Sequence, residues 1–219
     1  MKCLLKKDFE LMKVNGKSYI FVAAIAFLYL FMSGSMMNFF VAYVTLIATL
    51  TVLTTITHDD FDHGMTFLMT LPVSRQIYAK EKYVFGMIMG VGGWLLASAF
   101  AAISVLIRTG SGIDMEFLVG ISAYLVMVEM VLAFMIPIQL KFGSDSGRIA
   151  LLGIWMAAFI IIIFGFRVLS WFGIDTTPLK NTLEGLNYPV LMGILIGLLA
   201  VGIVISVNIS IRILEKKEF

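Results

Sequence analysis

Six long apolar runs leave this chain few folds to choose from: Tyr19–Ser35, Phe39–Thr57, Tyr83–Ile107, Phe117–Leu140, Ile149–Leu169 and Val190–Ile211. Each is close to the roughly 20 residues that an α-helix needs to cross a hydrocarbon core. No water inside a bilayer satisfies backbone N–H and C=O groups, so each run is read as a helix that satisfies its own. The expectation is an all-α, polytopic membrane protein with six transmembrane helices and a single transmembrane domain over 1–219. Composition agrees: 60% of the residues are hydrophobic and 14% charged, against about 45–50% and 25% in soluble domains. The first run is long for the core of a signal peptide and follows Lys2, Lys6, Lys7, Lys13 and Lys17, so a retained anchor is expected. Ser33-Gly34-Ser35 is short and uncharged, which predicts a tight helical hairpin between the first two spans.

If the spans alternate, all of the 16 lysines and arginines except Arg108, Arg167 and Lys180 fall on one side. Cytoplasmic loops carry the excess of cations, so both termini and the connector after the second span are placed in the cytoplasm, with the chain in the plasma membrane. The cations are scattered at the ends of apolar runs, not pooled into a patch, which argues against nucleic acid as a partner. Residues 1–17 put Leu4, Leu5, Phe9 and Met12 on one helical face and Lys2, Lys6, Glu10 and Lys13 on the other. They read either as an amphipathic helix in the lipid interface or as a basic flank that sets orientation. The lone Cys3 rules out an intrachain disulfide.

The connector 58–82 is unlike everything around it. Asp59, Asp60, Asp62, Arg75, Lys80, Glu81 and Lys82 exclude it from lipid, yet Phe61, Met65, Phe67, Leu68 and Leu71 exceed the needs of a solvated loop. Asp59 or Asp60 suits the cap of a short helix over Phe61–Thr70, ended by Leu71-Pro72. Ser74 suits the N-cap of a second helix that runs from Arg75 into the third span and stands out of the membrane by two turns or more. The segment is read as a surface helix, a proline elbow and a rigid lever. It either meets a partner protein through anchors Phe67, Leu68 and Leu71 and register charges Asp59, Asp60 and Arg75, or lies on the bilayer surface.

An acidic pair, an aromatic residue soon after it, Leu71-Pro72-Val73-Ser74-Arg75, and Lys82-Tyr83 opening a span together resemble the signature of type-2 ABC exporter permeases. That resemblance implies a six-span subunit that pairs with a second permease, identical or a sister chain, and docks separate ATPase subunits. The 58–82 connector would then be the coupling segment, with Asp59, Asp60, Phe61, Phe67, Leu68, Leu71, Pro72 and Arg75 at the ATPase. It also implies an interfacial N-terminal helix and short re-entrant elements in the outer loop 170–189. Relatives often carry a larger aromatic where Phe61 stands, and His63-Gly64 loosens the helix, which bears on the docking residues. ATP and Mg would belong to the partner: this chain has no GxxxxGK[ST] loop, is not expected to be an enzyme and needs no cofactor of its own.

Within the spans, Gly86/Gly90 and Gly193/Gly197 have GxxxG spacing, read as close helix approach or as the ordinary abundance of glycine in membranes. Glu129 is acidic near the centre of a span and should face the bundle interior. With Met127 and Met130 it either lines a translocation path or, protonated or bonded to Ser98, Ser122, Gln139 or Asn208, holds helices together. Pro137 should free a backbone carbonyl, as a hinge or a static kink. His58 and His63 lack metal-site spacing, so no metal is expected. The function expected is the transmembrane half of an ATP-driven exporter, with an amphipathic peptide or hydrophobic drug as cargo. The alternative is a stand-alone six-span substrate-binding or carrier protein, such as an importer's capture component, which leaves the connector unexplained.

Overall fold

A computed structural model describes residues 1–14, 36–61, 64–70, 73–109, 117–143, 153 and 188–217. Six helices account for nearly all of them: α1 (Lys2–Val14), α2 (Met36–Asp60), α3 (Gly64–Thr70), α4 (Arg75–Thr109), α5 (Phe117–Gly143) and α6 (Tyr188–Lys216). No strand occurs among the described residues. Four helices, α2, α4, α5 and α6, are long and apolar enough to cross a membrane. They correspond to the second, third, fourth and sixth expected spans. The first, all of the fifth but Gly153, the 33–35 hairpin and most of the outer loop 170–189 lie outside the described residues.

Threonine makes α2 an unusual span, because β-branched residues are modest helix formers. Here the hydroxyls turn back onto the helix: Thr45 donates to Val41 O at 2.7 Å, Thr49 to Thr45 O at 2.9 Å, and Thr51, Thr54, Thr55 and Thr57 do likewise. Each hydroxyl is thus satisfied without water. The 35-residue α4 is about 52 Å long at 1.5 Å per residue, against a hydrocarbon core of about 30 Å. The expected unbroken helix from Arg75 into the third apolar run is present, and its cap is the expected one: Ser74 Oγ accepts from the Ile77 N–H at 3.3 Å.

Small residues on α4 let α2 and α5 close on it. A Cβ at Gly86 would lie 2.7 Å from Leu132 Cδ2, one at Gly93 2.5 Å from Ala48 Cβ, and one at Gly90 would overlap Glu129 and Thr49. The Gly86/Gly90 spacing is therefore a packing face. Among the described residues Gly193 and Gly197 make no comparable approach, with nothing within 4 Å of an added Cβ. Two apolar clusters result. One, at the end of the bundle that carries α1 and α3, contains Leu4, Ile56, Leu68, Tyr83, Phe85, Leu132 and Leu214. The other, toward the opposite end, contains Phe40, Val41, Ala97, Ala101 and Ile121.

Pro137 frees the Ala133 carbonyl, which a residue with an N–H would have bonded. Ser206 of α6 donates to that oxygen, and its hydroxyl also meets Tyr83 OH at 2.5 Å. Tyr83 OH further meets Ser210 Oγ at 2.8 Å. The carbonyl released on α5 thereby becomes a polar link to α6 and α4.

Candidate functional site

The end of α2, the start of α4 and the middle of α1 converge on one polar centre. Lys82 is fully buried and reaches Asp8 Oδ2 at 2.5 Å, Asp59 Oδ2 at 2.9 Å and Thr55 Oγ1 at 3.0 Å. Asp59 also accepts from Lys7 Nζ and, at 3.0 Å, from Tyr78 OH. Glu81, equally buried, lies 3.9 Å from Lys82 with neither carboxylate oxygen hydrogen-bonded. Two cations and three carboxylates from α1, α2 and α4 thus share a site walled by Tyr78 and Phe85, with Phe9 edge-on to Phe85 at 5.2 Å.

This geometry revises the local reading of the connector. Asp59 and Asp60 do not cap a helix over 61–70: α2 continues through Asp60, and α3 begins only at Gly64. The Asp59 carboxylate is held by Lys7, Tyr78 and Lys82, so it has no part in a cap. Gly64 does more than loosen the helix. A Cβ there would lie 2.9 Å from the Asp59 carbonyl oxygen, so only glycine lets α3 fold back so tightly on the end of α2. Asp60 lies over the end of α5, its Oδ2 3.0 Å from the Cβ position of Gly143, a residue with φ of +77° that suits glycine.

The anchor residues divide into two sets. Leu68 and Met65 face inward and belong to the inner apolar cluster, whereas Phe67 (69% exposed) and Phe61 (66%) face out. Leu71 and Pro72 lie outside the described residues. Arg75 donates to the carbonyls of Leu214 and Glu215, both at 2.8 Å, and Gln76 to Glu215 Oε1 at 3.0 Å. A cation on the last carbonyls of α6 matches the negative end of the helix dipole. Arg75 therefore ties the lever's base to the chain's last helix.

Deeper in the bundle, Glu129 is 2% exposed and Met127 65%, so these two do not share a surface; Met130 turns toward α6, with Sδ 3.7 Å from the Cβ position of Gly202. None of the four expected partners bonds Glu129. Ser98 donates to Leu95 O, Ser122 to Leu118 O and Asn208 to Val204 O, while Gln139 bridges to Leu53 O and Thr57 on α2.

Lys7, Asp8 and Lys82 are the site residues that sequence reasoning missed. A signal existed: Asp8 lies four residues after Leu4 and next to Phe9, on the apolar face of α1, where a solvated carboxylate does not belong.

An α-helical bundle whose long apolar helices suit a membrane, with a structured polar end, defines a polytopic membrane protein. The match to a family model sharpens this: residues 3–215 match that of the ABC-2 family transporter proteins, and the chain belongs to that family. It is accordingly the membrane component of an ABC transporter. No curated protein and no solved structure matches the chain.

Proposed function

We propose that this chain is the transmembrane subunit of an ATP-driven exporter, with both termini in the cytoplasm of a cell whose plasma membrane it spans. It pairs with a second permease subunit and receives its drive from a separate ATPase that binds ATP and Mg. Segment 58–82 is the coupling element, and Phe61 and Phe67 are the side chains it offers to a pocket of the ATPase. The observation that carries this reading is the split of the connector's apolar residues, in a chain of this family, between an inward pair and an outward pair. Met65 and Leu68 fasten α3 to its own bundle, so force on Phe61 and Phe67 passes into α2, α4 and α1 through the polar centre. Leu71, Pro72, Asp60 and Arg75 complete the elbow. The cargo is an amphipathic peptide or hydrophobic drug, carried along a path formed with the partner permease.

Co-purification with the ATPase tests this directly. Phe67→Asp should abolish capture of the ATPase while the variant elutes like the parent chain, because Phe67 makes no part of the core. Leu68→Asp is not a clean test, since Leu68 is buried. Undiminished capture by a Phe61→Asp, Phe67→Asp double variant would rule the docking role out.

A further inference from the structure

Glu129 sits between the two apolar clusters, against α2 and α4, and neither of its carboxylate oxygens has a hydrogen-bond partner among the described residues. The polar atom nearest this wall is Thr49 Oγ1, whose proton is given to the Thr45 carbonyl at 2.9 Å. Thr49 therefore has only lone pairs to present. Two oxygens without a proton between them repel, and an ionised carboxylate so enclosed costs several kcal/mol (order of magnitude).

No described cation lies at this depth to offset that charge. On α2, His58, Asp59 and Asp60 begin nine residues beyond Thr49, about 14 Å along the axis. On α4, Glu81 and Lys82 lie eight or nine residues before Gly90, about 12 Å away, and they are engaged with the inner centre. Among the described residues, the groups at this wall are uncharged: Thr49 from α2 and Gly90 from α4, while Gly202 of α6 lies against Met130. Nor is there room for a larger cation at this wall. A single added carbon at Gly90 would overlap both Glu129 Oε1 and Thr49 Oγ1. An ammonium group needs as much space as a methyl group, and a hydrated metal ion needs more. A proton needs none.

We infer that Glu129 is an intramembrane proton-binding site. With α2, α4 and α5 packed as here, its carboxyl holds a proton. When α4 separates from α2 and α5, water enters and the proton leaves. The packed form binds the proton and the opened form does not, so acid favours packing and alkali favours opening, by up to about tenfold in the population ratio per pH unit for one proton. This inference does not depend on the docking role of the connector, and its test needs no ATPase.

The full chain in lipid nanodiscs is measured in two ways. Infrared spectra at neutral pH should show a protonated-carboxyl C=O band that Glu129→Gln removes and Glu81→Gln leaves in place. If Glu129→Gln fails to assemble, Glu129→Asp should shift the same band. On a Cys3→Ser background, spin labels at Leu96→Cys on α4 and Phe134→Cys on α5, both exposed positions, should report one packed separation at mildly acidic pH. A longer population should grow as the pH rises, and Glu129→Gln should suppress that growth. A spectrum lacking the Glu129-dependent band overturns the inference. So do label distances that ignore pH in the parent chain, or that respond equally in Glu129→Gln.

Discussion

Two buried acidic regions of this molecule meet the same electrostatic cost in opposite ways. At the end that carries α1, Asp8 and Asp59 are surrounded by Lys7, Lys82, Tyr78 and Thr55, a lattice that joins three helices. Ten residues or so deeper, Glu129 has neither an ion pair nor a hydrogen bond among the described residues. The lattice makes α1, α2 and α4 move as one unit, because any relative displacement strips a buried charge of its partner. The lone acid itself adds no bond that parting helices would have to break; the polar links across this interface are those of Gln139 to Leu53 O and Thr57 and of Trp94 to Ile121 O. The contrast teaches two ways of burying an acid: partners drawn from three helices at one end, and at mid-depth close packing around a carboxyl that has no bonded partner among the described residues.

Removing Lys82 is the harshest way to break the comparison. Lys82→Met keeps the length of the side chain but leaves Asp8 without its closest cation and Asp59 with Lys7 alone. Removing one partner from a buried ion pair costs about 3–5 kcal/mol. The expected result is loss of α1 from the bundle, read as a large drop in the thermal midpoint and rapid proteolysis of residues 1–14 in nanodiscs. A variant as stable as the parent would mean that the lattice does not unite these helices.

The two regions also differ in how far the sequence disclosed them. Hydropathy marked the four long helices within a few residues, Ser74 announced its cap, and Pro137 implied a freed carbonyl. These are local properties, fixed by neighbours one or two turns away. Glu129 was legible as a buried acid because any charge in a long apolar run is conspicuous. The lattice was not legible. Lys82 and Asp59 stand at the ends of apolar runs, where charged residues ordinarily meet water, and Lys82 finds Asp8 across 74 residues of chain. The division of Phe67 from Leu68 was likewise hidden, because a helix of only seven residues shows which face is inward only once it has a surface to lie on.

A milder intervention acts on the mid-depth region. Gly90→Ala places a methyl group where Glu129 Oε1 and Thr49 Oγ1 already sit, and overpacking of this kind costs about 1–3 kcal/mol. The helices should part slightly and admit water, so the Glu129-dependent infrared band should weaken in the same variant that loses stability. Gly92→Ala is the control, since an added Cβ there has nothing within 4 Å, and it should change neither quantity.

The smallest expected effect asks how redundant the lattice is. Tyr78→Phe removes one hydrogen bond to Asp59 but leaves Lys7 and Lys82 on that carboxylate, and it retains the ring that lies 5.1 Å from Lys82 Nζ. A hydrogen bond to a charged group contributes about 1.5–3 kcal/mol, and the remaining cations hold the loss at the lower end of that range. The thermal midpoint should fall by a few degrees, with residues 1–14 still protected from protease. A loss as large as that of Lys82→Met would show that the phenol, not the ammonium, holds Asp59. The three helices would then be joined by a single pivot in place of a lattice, and force arriving at α3 would reach α2 and α4 without reaching α1.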